Sequence, residues 1–370
     1  MMELCNFKDC FKDITGGNLK VKQRDYLKSG KFPVVDQGKN LIGGYSNFDE
    51  KVKKFGDVII FGDHTGIIKY VNFDFVLGAD GVKVIEPNYK KVFPKFGYYS
   101  LSKVELPDTG YDRKFKYLKR IKIPLPPIPI QKKIATILDE ADRVRQLNKQ
   151  LIEKYNQLSQ SLFLDMFGDP VTNPMGWKEM RMDKVCTKVT DGTHDTPERI
   201  AEGIKFITGK HIKPYYVDYL NSDYVTKDVH QEIYRRCNPE IGDVLYTNIG
   251  VNLGTAALNI VKYEFSMKNI ALLKPNFDMM KGRYLEYYLN SDNMKSKIVW
   301  MASIGGAQQF LSLKEIRGLK VNCPPITLQT KFAERVQSIE TQKAQAKAVL
   351  QKSEDLFNSL LQKAFKGELV

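Results

Sequence analysis

No two cysteines of this chain form a Cys-x-x-Cys pair: the five (Cys5, Cys10, Cys186, Cys237, Cys323) are scattered, and so are the four histidines. That spacing argues against a structural zinc site, no metal ligands are expected, and an odd thiol count fits a reducing cytoplasm. No apolar run approaches the length of a membrane span, and nothing near Met1 resembles a signal peptide, so a cytoplasmic location away from the membrane is expected. Catalytic signatures are missing as well. There is no Gly-x-x-x-x-Gly-Lys-Ser/Thr string to cradle a nucleotide phosphate, and no Gly-x-Gly-x-x-Gly opening a helix after a strand. Gly250, Gly254, Gly305 and Gly306 read as loop glycines. An adenine-N6 methyltransferase needs Asn/Asp-Pro-Pro-aromatic to hold a flipped base, but here the paired prolines precede Ile128 and Ile326. Acidic residues are outnumbered, 43 Asp and Glu against 57 Lys and Arg, a net charge of +14 over 370 residues. Such an excess points to a polyanionic partner, nucleic acid first and an anionic membrane second.

Two fragments suggest chemistry and do not carry it. Pro107-Asp108 followed by Asp112-Arg113-Lys114 offers two carboxylates and a lysine for Mg²⁺, but three intervening residues leave no room for the hairpin that such a site needs. Thr193-His194-Asp195 places neighbours in sequence that cannot aim their side chains into one relay. No catalytic residue is expected.

What the chain does have is a repeat. Pro126-Pro127-Ile128 with Gln131 recurs as Pro324-Pro325-Ile326 with Gln329, and roughly 13 of about 47 aligned positions are identical where chance gives about 3. Each box opens a long helical pattern, from about Ile130 to Phe167 and from about Leu328 to Phe365. The prolines force extended backbone before each helix. The first helix carries a heptad seam at Ile130, Ile134, Ile137, Ala141, Val144, Leu151, Tyr155, Leu158 and Leu162, broken by Asn148. The second keeps Leu328, Phe332, Ile339, Ala346, Val349, Leu356 and Leu360, with Arg335, Gln342 and Ser353 as gaps and Val336, Leu350, Phe357 and Leu361 widening the apolar face. The simplest partner for each is the other, antiparallel about a pseudo-two-fold axis, as a rod of roughly 55 Å.

The globular regions repeat more weakly. Phe55-Gly56-Asp57-Val58 parallels Ile241-Gly242-Asp243-Val244, each a turn feeding a buried strand. Lys8, Cys10, Lys12 and Gly16 parallel Lys184, Cys186, Lys188 and Gly192, and Glu86-Pro87-Asn88 parallels Lys274-Pro275-Asn276. Short strands and many Gly/Asn/Asp turns predict an α+β (mixed α/β) fold with sheet cores. The expected organisation is a domain over 1–123, a proline box and helix over 124–167, a second domain over 168–321, and a second box and helix over 322–370.

Polar, glycine-rich loops framed by basic residues suit nucleic acid. Candidate base contacts are Gln37, Lys39, Asn40, His64 and Thr65 in the first domain, and Thr193, His194, Lys210, His211, Asn248, Gln308 and Gln309 in the second. Candidate phosphate contacts are Arg113, Lys114, Lys116, Lys119, Arg120, Arg235 and Arg236.

These residues resemble the specificity subunit of type I restriction–modification systems over essentially the whole chain. Asp191-Gly192-Thr193-His194-Asp195-Thr196-Pro197 followed by Gly203-Ile204-Lys205-Phe206-Ile207 is similar to the opening of that family's target-recognition domain. Gly242-Asp243-Val244-Leu245 and Gly306-Ala307-Gln308-Gln309-Phe310-Leu311-Ser312 resemble its later elements, and the proline boxes resemble the starts of its conserved helices. The resemblance implies two target-recognition domains separated by antiparallel helices, each reading half of a split double-stranded DNA sequence. It also implies docking of two modification subunits, which carry S-adenosylmethionine and methylate adenine, and of restriction subunits using ATP and Mg²⁺; no cofactor is expected on this chain. The first domain departs from the pattern, with Asp13-Ile14-Thr15-Gly16-Gly17 in place of Asp-Gly-Thr-His. A coiled-coil scaffold with two modules that do not bind DNA, and the recognition part of a fused restriction enzyme, are the alternatives.

Overall fold

A computed structural model describes residues 3–18, 20–48, 56–107, 110, 112–303 and 310–369. Phe55, Asp108, Gly305, Gly306, Ala307, Gln308 and Gln309 lie outside the described residues. Two continuous helices start at the proline boxes, Ile128–Phe167 and Ile326–Lys366. The chain forms two compact units, one of residues 1–150 with 347–370, the other of residues 151–346. Each long helix therefore belongs to both units. The sequence places the divisions at the boxes instead, because it cannot show that each helix end is buried in a sheet core.

In the first unit the strands Phe11–Asp13, Val82–Pro87, Val58–Gly62 and Ile68–Val71 form one antiparallel sheet in that order. Period-two alternation sorts its side chains: Ile59 and Phe61 face one core, Ile60 the other. On the Ile59 side lie the helix Pro94–Ser102, the head of the first long helix (Ile134, Ala135, Leu138) and the tail of the second (Phe357, Ala364). The second unit repeats this. Cys186–Asp191, Ala271–Pro275, Val244–Tyr246 and Ala256–Leu258 form its antiparallel sheet. Its main core takes the tail of the first long helix (Phe163, Phe167) and the head of the second (Phe332, Val336). Within each unit, then, a helix head lies beside a helix tail, as an antiparallel pair requires.

The repeated glutamine has a physical role. Gln131 is wholly buried; its Oε1 accepts from Phe93 N at 2.8 Å, and its Nε2 donates to Lys91 O and Pro126 O, both at 2.8 Å. Gln329, equally buried, accepts from Lys281 N at 2.8 Å and donates to Met279 O at 3.0 Å and Pro324 O at 2.9 Å. One amide thus ties the proline box to the turn that follows the sheet's second strand, satisfying main-chain groups that proline leaves unpaired.

Two of the motif alignments shift by one residue in the structure. Leu4–Asn6 pairs with Lys122–Pro124 as Glu179–Arg181 pairs with Lys320–Asn322, so Phe7 and Cys10 correspond to Met182 and Val185, not to Asp183 and Cys186. A bulge between Cys186 and Lys188 adds the residue that restores Lys12 to Lys188. Likewise Ile59, opposite Ile85, corresponds to Val244, opposite Leu273, so the two Asp-Val strings match in letters and not in register.

The helix seam is also rotated from expectation. Ile134, Ala135 and Leu138 are buried, whereas Ile137, Val144, Leu151 and Leu158 are exposed. The residues taken to widen the second helix, Val336, Leu350, Phe357 and Leu361, turn out to flank or form its packed face, and Val349 and Leu356 are open. An apolar stripe this wide exceeds what one partner helix covers. Two gaps in the seam meet: Asn148 Nδ2 donates to Ser353 Oγ at 3.1 Å, and Ser353 Oγ donates to Val349 O at 2.8 Å. Ser353 is thus an inward residue, and only Arg335 and Gln342 of the three gaps in the second helix are exposed.

Candidate nucleic-acid interface

In the first unit four segments converge at one end of the sheet. Thr65 Oγ1 donates to Gln37 O at 2.9 Å and His64 N to Gln37 Oε1 at 3.3 Å, joining the loop after Phe32–Val35 to the hairpin turn after Val58–Gly62. Gly81 has φ +77°, and a Cβ there would meet His64 Cδ2 at 2.7 Å and Gln37 Oε1 at 2.9 Å. Glycine is required at that approach. Asp63 is buried and holds the basic segment: its main-chain O accepts from Lys114 N at 2.7 Å and its Oδ1 from Phe115 N at 2.9 Å. The candidates Gln37, His64, Thr65 and Lys114 therefore share one loop cluster, with Lys39, Asn40 and Arg113 exposed. Lys119 and Arg120 are exposed farther along, and Lys116 forms an ion pair with Asp112 at 2.6 Å.

The anchor beneath this cluster is a buried lysine that no sequence motif marks. Lys69 is buried, donates from Nζ to Asp36 O at 2.7 Å, and lies 3.5 Å from Asp36 Oδ1. Asp36 Oδ1 accepts in turn from Gly38 N at 2.8 Å, which shapes the loop bearing Gln37 and Lys39. Burial draws the Lys69 ammonium below its usual pKa, against the pull of Asp36.

In the second unit several polar candidates hold partners within the fold. Asp191, nearly buried, receives Arg236 on Oδ1, while His194 Nε2 sits 2.9 Å from its Oδ2 and His194 Nδ1 2.9 Å from Asn269 Oδ1. Arg236 is thus already partnered, and His194 is held in place although its side chain is 61% exposed. Gly192 packs on the strand Ser266–Lys268, where a Cβ would meet Met267 O at 2.2 Å. Thr193 is half-buried beside it and Arg235 is exposed. Lys210 is exposed and pairs with Asp223 at 3.1 Å. Asn248 is buried, its Nδ2 donating to Leu311 O at 2.9 Å, and His211 is buried with Nδ1 accepting from Thr208 N at 2.9 Å. Both side chains are engaged inside the unit, on main-chain atoms that sequence does not reveal.

The burial of His211 can be tested. Burial, with Lys210 adjacent, lowers its pKa below the usual 6.5. The unfolded chain then takes up the proton first, so the stabilisation is complete above about 6.5 and declines as pH falls toward the lowered folded value. Thermal unfolding from pH 7.5 to 5 should show the wild type losing stability relative to His211→Asn, whose Oδ1 can accept the Thr208 bond without titrating. A gap that stays constant with pH would rule out a buried neutral imidazole.

Among the described residues no group of three His, Cys, Asp or Glu could hold a metal ion, and no helix is long and apolar enough to cross a membrane.

Two sheet-cored units, each with basic and polar loops at hand and each joined to both long helices, define a duplicated scaffold. Residues 3–157 match the domain family described as type I restriction modification DNA specificity domain. Over that segment, less than half of its length, the chain is similar to type I restriction–modification specificity proteins. It is 22% identical over 273 residues to the type I restriction enzyme EcoKI specificity subunit of Escherichia coli K12, covering 67% of this chain and 58% of that one. It is 23% identical over 364 residues to the MjaIX specificity subunit of Methanocaldococcus jannaschii, covering 88% and 82%. The chain therefore spans less than two thirds of the EcoKI subunit's length. In fold it is similar to the crystal structure of a type I restriction–modification S subunit from M. genitalium, with TM-score 0.61, 18% identity, and coverage of 99% of this chain and 96% of that one.

Proposed function

We propose that this chain is the non-catalytic DNA-reading subunit of a type I restriction–modification complex, and that its two units each read one half of an asymmetric, split duplex target. The observation that carries this is a scaffold whose strand pairing recurs in both copies apart from one bulge, down to the Gln131 and Gln329 bonds, with loops that differ in length and sequence. Two different loop sets on one frame imply two different half-sites, unlike the palindrome of a homodimer. Lys and Arg neutralise phosphate and make binding fall steeply with salt.

The open apolar positions support partners on the helices. In the first unit these are Ile137, Val144, Val349 and Leu356; in the second, Leu151 and Leu158. They recur every seven residues and suit helices of two modification subunits, with Arg335 and Gln342 at the same spacing. S-adenosylmethionine, ATP and Mg²⁺ then belong to the modification and restriction subunits.

Mapping N6-methyladenine in cells that carry this gene and its methyltransferase partner, against cells lacking this gene alone, tests the reading. The expected result is methylation in one bipartite motif with unlike halves, lost on deletion. Methylation that persists without the gene, or in a palindrome, would contradict it.

A further inference from the structure

Six residues lie between Phe61 and Ile68 at the hairpin turn of the first sheet, and nine between the corresponding Tyr246 and Ala256, so the second turn is three residues longer. Val251 stands within that longer turn with 106% relative exposure, the highest of any large apolar residue described. Single exposed apolar side chains are ordinary on protein surfaces. This one differs in how it is mounted.

Both flanks of Val251 are fixed. On one side Asn248 is buried and exchanges two 2.9 Å bonds with Leu311, its Nδ2 donating to Leu311 O and its main-chain O accepting from Leu311 N. On the other, Asn252 Nδ2 donates to Gly209 O at 3.1 Å, Leu253 is buried, and Gly254 N donates to Thr247 O at 2.8 Å. Thr247 Oγ1 also bonds to Asn252 O across the turn. Gly250 and Gly254, at φ +81° and +79°, permit the reversal. The exposed valine is therefore carried at the tip of a braced β-ribbon, next to the Lys210 loop and in the region where the two copies diverge.

We infer that Val251 reads a thymine 5-methyl group in the half-site bound by the second unit; this rests on the DNA-reading function proposed above. The major groove is wide enough for a two-stranded ribbon, and the thymine methyl is the one apolar group that a base edge shows there. A valine has no donor or acceptor to offer any other base. Bracing means that little ordering is needed at the tip on binding, so the contact favours thymine.

The test uses the chain assembled with its modification subunits and S-adenosylmethionine, assayed by initial methylation rate on duplexes carrying the mapped target. Each thymine of the second half-site is replaced in turn by deoxyuridine, which keeps the pairing and removes only the methyl. For the wild type, one such replacement should slow methylation about 4- to 15-fold, the size of burying one or two apolar carbons. Val251→Ala, at a fully exposed position, should slow the thymine duplex by a similar factor and be indifferent to deoxyuridine at that position. If no thymine in that half-site shows a methyl effect, or if Val251→Ala keeps the full penalty, the inference is wrong while split-target methylation stands. If the wild-type complex methylates no split target, the underlying function falls together with it.

Discussion

Replacing Gln131 by leucine is expected to destabilise the first unit by about 3–5 kcal/mol, although leucine nearly matches glutamine in volume. The substitution leaves Phe93 N–H, Lys91 C=O and Pro126 C=O without partners in a site that water does not reach. Each buried main-chain group left unsatisfied costs about 1–3 kcal/mol, more than the apolar gain of leucine returns. Gln329→Leu should do the same in the second unit through Lys281, Met279 and Pro324. Hydrogen exchange read by peptide separates the two. The Gln131 variant should lose protection around residues 91–101 and 128–138, and the Gln329 variant around 279–290 and 326–336. A loss below about 1 kcal/mol, or one spread evenly over both units, would show that the amide is not the local tie.

The same glutamine shows what the sequence could and could not reveal. Its repetition after paired prolines was plain, because the box and helix are contiguous. Its purpose was hidden, since two of its three partners lie some 40 residues upstream and are main-chain atoms that carry no residue signature. The helices were legible to within two residues because their apolar period is long and uninterrupted. Their packed face was not, because an apolar stripe wider than one partner needs allows more than one rotation. In the sheets, letter matches such as Asp57-Val58 with Asp243-Val244 slid by one residue from the true register, which hydrogen bonds and bulges set. At the interface, composition drew attention to His211 and Asn248, which the fold consumes internally, and away from Val251, since an apolar residue in a sequence reads as core. Arg236, a basic residue in the sequence pattern for phosphate, carries an ion pair with Asp191 that the sequence does not show.

Inserting one heptad into both long helices, after Gln150 and before Lys347, should lengthen the preferred spacer between the two half-sites by about 2–4 base pairs while leaving the half-sites unchanged. Seven residues add about 10 Å of helix, and duplex DNA rises about 3.4 Å per pair along each strand. The insertion points fall where each helix passes from one unit's residues to the other's, so no core contact of Ile134, Leu138, Phe163 or Phe332 is removed. Seven residues also turn a helix by nearly two whole revolutions, which keeps the packed face in phase. The Asn148–Ser353 pair can then re-form, and its polar layer disfavours slippage of one helix along the other. A four-residue insertion is the informative control. It adds about 6 Å but rotates the following face by about 40°, so it should weaken methylation at every spacer more than it moves the optimum. Methylation of a duplex series with the same half-sites and stepped spacers reads both outcomes. An optimum that stays in place after the heptad insertion would mean that the helices do not set the spacing, and the measure of the target would have to be sought in the loops.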